Sequence, residues 1–381
     1  MKAIIRTVII AICMAFVPAK DYAQQSVMKG MLGNILSDTL IIRVVGDDFM
    51  SFSRTDTVAM SHGRFEYQLP CNTIKVIRID PLPCKGQPNP RGIIDMVMLP
   101  GEEFQINGTT EDYHVSGGKF YQQLEEAISH LRPSNKAIRD MEQELEQKER
   151  QGADHDAIMV ESKVRSEQLA LNRETAALDF MRQHPSYDAS AFLMMNTFTK
   201  LDEAISLLSD KVKQGIMEPF ITSFIKMNER MKARAEAMKT MGVGKPAPDF
   251  TLTDINGNPL TLSSLRGKYV VLDFWGSWCG WCIKGFPDMK KYYDKYKSKM
   301  EILGIACNDT EAKWKAAVEK HQLPWVLVLN PMEAVEGNVA VMYAVSAFPT
   351  KIIISPEGII LKNFQGEDPA FYTYLDELFG K

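Results

Sequence analysis

Short apolar runs broken by turn residues fill the chain from 28 to about 115: LIIRVV, TDTVAM, GRFEYQL, IKVIRI and IIDMVML, separated by SHG, LPCKGQPNPRG and LPGEE. Runs of this length and spacing predict the strands of an antiparallel sandwich or barrel. From 118 to 240 the pattern changes, with glycine and proline sparse and apolar residues three and four apart among Met, Ala, Glu, Lys and Arg. That spacing builds one face of a helix. Within it, MEQELEQKERQGADHDAIMVESKVRSEQL mixes charges of both signs around Gly152, which reads as a solvated helical hairpin turning at the glycine, or alternatively as a partner-binding surface. Pro246 and Pro248 in VGKPAPDF end the helical pattern. Beyond them the runs FTLTD, PLTLS, YVVLDFW, MEILGIA, WVLVLN, TKIIIS and GIILKNF alternate with helix candidates at 280–299, 310–321, 335–345 and 370–379. Strands alternating with helices imply an α/β domain. The organisation expected is multi-domain: an all-β sandwich-like domain over 24–117, an α-helical region over 118–240 and an α/β domain over 243–381.

Composition narrows the classes. Of 381 residues 45% are hydrophobic and 24% charged, which excludes a disordered chain, a collagen-like repeat and a polytopic membrane protein. The balance of 44 basic against 48 acidic residues leaves a net charge of -4, which offers no general electrostatic attraction to nucleic acid or anionic lipid. The first 23 residues carry Lys2 and Arg6, an apolar run over 8–17 and a small residue at Ala23. This is the layout of a secretory signal peptide, since the run is about half the ~20 residues that span a bilayer. Export would place the protein in the periplasm, either free or associated with the cell envelope.

Six cysteines, Cys13, Cys71, Cys84, Cys279, Cys282 and Cys307, are too few for a disulfide scaffold or a set of zinc sites. Cys13 would leave with the signal, and the odd number remaining means that at least one thiol is free, in exchange or paired with another molecule. Trp278-Cys279-Gly280-Trp281-Cys282 follows the apolar strand YVVLDFW and opens a helix. Two intervening residues set both sulfurs in the first helical turn, close enough to bond. There the unpaired amides and the helix dipole stabilise a thiolate on Cys279. Cys279 is then the attacking sulfur and Cys282 the resolving one. A zinc site would need a second cysteine pair or suitable histidines, and none accompanies this one.

The segment 243–381, from GKPAPDFTLTDINGNPLTLSSLRGKYVVLDFWGSWC onward, resembles the thioredoxin superfamily and within it the TlpA/ResA-like extracytoplasmic thiol-disulfide oxidoreductases. The resemblance implies a thioredoxin-like fold. It makes Asp273, six residues before Cys279, the buried acid that carries the proton of Cys282, and makes Pro287 the proline inside the active-site helix. Phe348-Pro349-Thr350 matches the cis-proline loop facing the disulfide, where the Phe348 backbone would pair with a substrate polypeptide. Trp278, Gly280, Trp281, Phe348 and Pro349 thus form the implied substrate surface, while Trp275 packs beside it. Two departures stand out: the dipeptide between the cysteines is Gly280-Trp281 rather than a Pro-containing pair, and Gly285 occupies a position where cytochrome-c-maturation relatives carry a glutamate. Residues 24–117 are similar to a small domain of unknown function that precedes thioredoxin-like domains in exported Bacteroidetes proteins. Cys71 and Cys84, with 12 residues between them, are either a structural disulfide or two separate thiols, and Cys307 reads as a buried apolar thiol.

The function expected is an exported thiol-disulfide oxidoreductase that reduces or rearranges disulfides in periplasmic proteins. It would draw electrons from a membrane donor of thiol-disulfide exchange type, with no metal and no cofactor beyond the redox-active Cys279–Cys282 disulfide. One alternative is a peroxiredoxin-type thiol peroxidase. That chemistry needs a hydroxyl residue three positions before the cysteine, where this chain has Gly276, and a proline earlier that is absent. The other is a non-enzymatic binding module with a vestigial cysteine pair.

Overall fold

The computed structural model describes residues 23–33, 35, 37–46, 52–82, 92–332 and 336–380. The segment 1–23 expected to be a signal peptide, with Cys13, lies outside them apart from Ala23, as does Cys84. By packing density the chain divides into two compact units, Met1–Ile221 and Thr222–Lys381.

Among the described residues the first unit opens with eight strands: β1 (Gln24–Leu32), β2 (Thr39–Val45), β3 (Phe52–Ala59), β4 (Arg64–Cys71), β5 (Lys75–Pro81), β6 (Ile94–Met98), β7 (Glu103–Gly108) and β8 (Tyr113–Gly117). They form two four-stranded sheets of order β4-β1-β7-β8 and β3-β2-β5-β6. In β4 every second residue is buried, so Phe65, Tyr67 and Leu69 turn to one apolar side. The all-antiparallel expectation fails at one ladder, because β1 and β7 run parallel. A parallel pair needs a long crossover, and the chain supplies it by building the other sheet between these two strands.

Six helices follow: α1 (Lys119–Arg150), α2 (His155–Gln183), α3 (Asp188–Phe192), α4 (Leu201–Leu207), α5 (Asp210–Lys213) and α6 (Glu218–Thr240). α1 and α2 form the charged hairpin, turning at Gly152 in a left-handed conformation at φ 83°, where a Cβ would be strained. Ion pairs cross it from Arg165 to Glu144 at 2.8 Å and from Lys148 to Glu161 at 2.9 Å. The division between the units falls within α6.

The second unit contains β9 (Thr251–Asp254), β10 (Pro259–Thr261), β11 (Tyr269–Trp275), α7 (Gly280–Tyr296), β12 (Met300–Ala306), α8 (Glu311–His321), β13 (Val326–Leu329), α9 (Val339–Met342), β14 (Thr350–Ile354), β15 (Ile360–Gln365) and α10 (Pro369–Phe379). Its sheet has seven strands in the order β10-β9-β13-β12-β11-β14-β15. β11 lies inside it, parallel to β12 and antiparallel to β14. The helix expected over 335–345 is a single turn, because Gly337 and Ala344 take left-handed backbone on either side of it.

β11 is buried on both faces, as an interior strand between helical layers must be. Alternation sends Val270, Leu272 and Phe274 into one apolar cluster and Val271 and Trp275 into another that holds Cys279, Cys282 and Phe286. Asp273, two residues from both Val271 and Trp275, therefore points to the cysteine side.

Candidate active site

The loop from β11 to α7 is held at three points. Asp309, 4% exposed, accepts the Ser277 amide at 2.6 Å and also the Ser277 hydroxyl. Trp278 Nε1 donates to the Cys307 carbonyl at 3.0 Å, and the Cys307 amide donates to the Trp275 carbonyl at 2.8 Å. This arrangement requires glycine at 276. A Cβ there would stand 2.4 Å from Trp278 Nε1 and 2.9 Å from the Cys307 oxygen.

Cys279 is the N-cap of α7, and its sulfur accepts the Cys282 amide at 3.2 Å. It is bonded to Cys282, with the two Cα atoms 5.3 Å apart. The first turn of this 17-residue helix holds no acidic residue, so the positive end of its dipole is not neutralised locally. Pro287 lies inside the helix.

Both sulfurs are buried, yet aromatic rings rim them. Trp278 and Trp281 are 52% and 64% exposed. The edge of Trp278 meets Phe348 with ring centroids 5.3 Å apart, and Lys284 Nζ stands 4.9 Å over the Trp281 ring. The Phe348–Pro349 bond is cis, and Thr350 closes the loop by donating to the Ala347 carbonyl at 2.8 Å. Gly280 is exposed between the cysteines, Pro349 is buried and Trp275 is core, its ring edge-on to Phe286 at 5.3 Å.

Behind the disulfide, Asp273 is 1% exposed. Burial pushes its carboxyl up to about 6, with Lys351 pulling down and Glu367 pushing up. Lys351 stands opposite Asp273 in the β11–β14 register and donates to Glu367 Oε2 at 2.9 Å. Sequence reasoning missed Asp309, Lys351 and Glu367. A lysine inside the apolar run TKIIIS was the available signal for Lys351, whereas nothing local marks the other two.

Two further cysteines among the described residues, Cys71 and Cys307, are not bonded to this pair. The Cys307 thiol is buried and donates to the Ile305 carbonyl at 3.5 Å, and burial raises its pKa strongly. Cys71 is a buried free thiol at the end of β4, 3.2 Å from Ser26 Oγ. Its potential partner Cys84 lies outside the described residues. Among the described residues no cluster of three His, Cys, Asp or Glu could hold a metal ion, and no helix is long and apolar enough to cross a membrane.

A mixed sheet with an oxidised cysteine pair at a helix N-terminus and a cis-proline loop beside it defines a thioredoxin-like domain. A family model described as the AhpC/TSA family matches residues 243–363. The thiol-disulfide oxidoreductase ResA of Bacillus cereus is 35% identical over 128 residues, which cover 33% of this chain and 72% of that protein. ResA of Bacillus subtilis is 34% identical over 129 residues, 34% of this chain and 70% of its own. The thioredoxin domain of a thiol-disulfide oxidoreductase from Bacteroides vulgatus, a crystal structure, is 32% identical, covering 36% of this chain and 98% of that one with a TM-score of 0.34. The chain belongs to the ResA family of thiol-disulfide oxidoreductases.

Proposed function

We propose that this oxidoreductase is exported and reduces or rearranges disulfides in periplasmic proteins, with Cys279 and Cys282 as its working pair. The observation that carries the reading is Cys279 as N-cap of α7, its sulfur receiving a backbone amide beneath an exposed aromatic rim. An amide donor and an unneutralised helix dipole favour a thiolate there. The Cys279 thiolate attacks a substrate disulfide, one substrate sulfur leaves with the electron pair, and a mixed disulfide forms. Cys282 then loses its proton to Asp273 and attacks the Cys279 sulfur. The second substrate sulfur leaves, and two electrons have passed to the substrate. A membrane donor of thiol-disulfide exchange type resets the pair.

Trp278, Gly280, Trp281, Phe348 and Pro349 form the surface that receives the substrate chain. No cofactor beyond the cysteine pair is required. The signal-like layout of residues 1–23 supports the compartment. A peroxidase reading is disfavoured at Gly276, where a hydroxyl side chain would collide with Trp278.

Cys279→Ser should abolish reduction of insulin disulfides, and unchanged activity would overturn the assignment. Cys282→Ser should trap mixed disulfides with exported proteins, which mass spectrometry of a periplasmic fraction would identify.

A further inference from the structure

Lys351 lies in a strand whose other residues are Thr and Ile and is 1% exposed. An ammonium in that position costs several kcal/mol unless paired. Its ion-pair partner is not the acid directly opposite. Asp273 faces Lys351 in the register of β11 and β14, yet Asp273 Oδ1 is buried with no hydrogen-bond partner. Lys351 Nζ donates instead to Glu367 Oε2 at 2.9 Å and lies 5.5 Å over the Phe371 ring.

Glu367, just beyond β15, is held from a second side by the Tyr372 hydroxyl, which donates to Oε1 at 2.7 Å. Its carboxylate fills the space over Gly285, where a Cβ would fall within 2.3 Å of Oε2. Gly285 follows Cys282 by one helical turn. The glycine in α7 thus admits a carboxylate from a distant loop to the compartment behind the cysteines.

We infer that Glu367 is a positioning residue for disulfide exchange: by holding the Lys351 ammonium it keeps Asp273 out of an ion pair and free to take and return the Cys282 proton. The inference rests on the exchange reaction proposed above. An ammonium bonded to Asp273 would lock that carboxyl in its ionised form, a poor proton donor in the reverse step. With Lys351 committed to Glu367, burial dominates and Asp273 changes charge near pH 6. In the resolving step the Cys282 S–H bond breaks, its proton passes to Asp273, and the new thiolate forms the S–S bond to Cys279. The Cys279–substrate bond breaks, with its electron pair leaving on the substrate thiolate. The Asp273 proton is then returned to the departing thiolate or to water. Glu367, with its side chain 18% exposed against 1% for Lys351, is the member of the ion pair nearer to solvent. The other ionisable groups here are Cys279 and Cys282 at α7, Cys307 after β12, which is coupled to Asp273 and Asp309, and Tyr372 on α10, which is coupled to Asp288.

The test titrates the Asp273 carboxyl by carbon NMR in the oxidised full-length chain, comparing Glu367→Gln and Lys351→Met with the native residues. Glu367→Gln should release Lys351 toward Asp273 and lower the midpoint by at least about one pH unit, whereas Lys351→Met should raise it by a similar amount. The pH profile of substrate release by Cys282 should shift in the same two directions. Gly285→Ala displaces the carboxylate without removing it and should move the midpoint down, which preserves the test if Lys351→Met fails to fold. Midpoints that stay fixed, or that move the same way in the Glu367 and Lys351 variants, overturn the inference. The oxidised chain titrates without turning over, so this result is separate from the loss of insulin reduction that tests the exchange reaction itself.

Discussion

The two faces of strand β11 lie a side chain's width apart and are built on different terms. Val270, Leu272 and Phe274 enter a hydrophobic cluster with Leu303, Ile305 and Ile352 that holds no carboxylate or ammonium. Val271 and Trp275 enter a cluster of similar depth that also accommodates two cysteines, while Asp273 and Lys351 are buried on the same side. One face gains its stability mainly from apolar burial. The other gives up part of that stability to keep ionisable groups beside a sulfur pair, a pattern characteristic of sites where proton affinity matters. Each face should therefore respond differently to substitution.

The largest difference should appear on the apolar face. Phe274→Ala leaves a cavity among residues that cannot collapse fully, and about 3–5 kcal/mol of unfolding free energy should be lost. Urea unfolding of the oxidised protein measures it. The midpoint of Cys279 alkylation against pH should stay in place, and a shift there would show that the two faces are coupled.

On the cysteine face the sign reverses. Burial raises the Asp273 carboxyl from 3.8 to about 6, so the native state binds this proton more tightly than the unfolded chain does. The associated stability is fully present below the unfolded value and is lost as pH rises through 6. A rise of roughly two units corresponds to about 3 kcal/mol. Asp273→Asn should flatten the pH dependence of stability between pH 4 and 7 and raise stability at neutral pH, while slowing release of substrate from the mixed disulfide. A variant with the native slope would place the titrating group elsewhere.

The rim should respond more weakly. Trp278→Ala removes the contact with Phe348 and the bond to the Cys307 carbonyl, so KM for a protein disulfide should rise several-fold, with a smaller change in kcat. Smallest of all is Cys307→Ala. That thiol is buried and held strongly in its neutral form, so the expected cost is about 1 kcal/mol of stability and no change in insulin reduction.

Much of the C-terminal unit was legible because its signals are local. Apolar runs such as YVVLDFW and TKIIIS mark strands wherever they fall, and the cysteine spacing works only at a helix start. Asp273 was singled out by the family resemblance alone; only the fold shows that it is buried. The parallel pairing of β1 with β7 was not legible, since strand direction in a sheet depends on the route of the chain between them. Nor was the shortness of α9, where left-handed residues on both sides overrule an apolar run that suits a helix.

Sequence alone determined the cysteine pair, the strand that leads to it, the helix that begins at it and the glycine at 276, where a peroxidase of peroxiredoxin type would need a hydroxyl. All follow from neighbours within a few residues, where spacing and helical geometry leave little freedom. Tertiary structure alone decided which groups share the compartment behind the disulfide. Glu367 lies more than eighty residues beyond Cys282, and its carboxylate reaches Lys351 and the space over Gly285 because β14, β15 and α10 close around α7. Electrostatic coupling depends on distance in space, and no spacing along the chain encodes it.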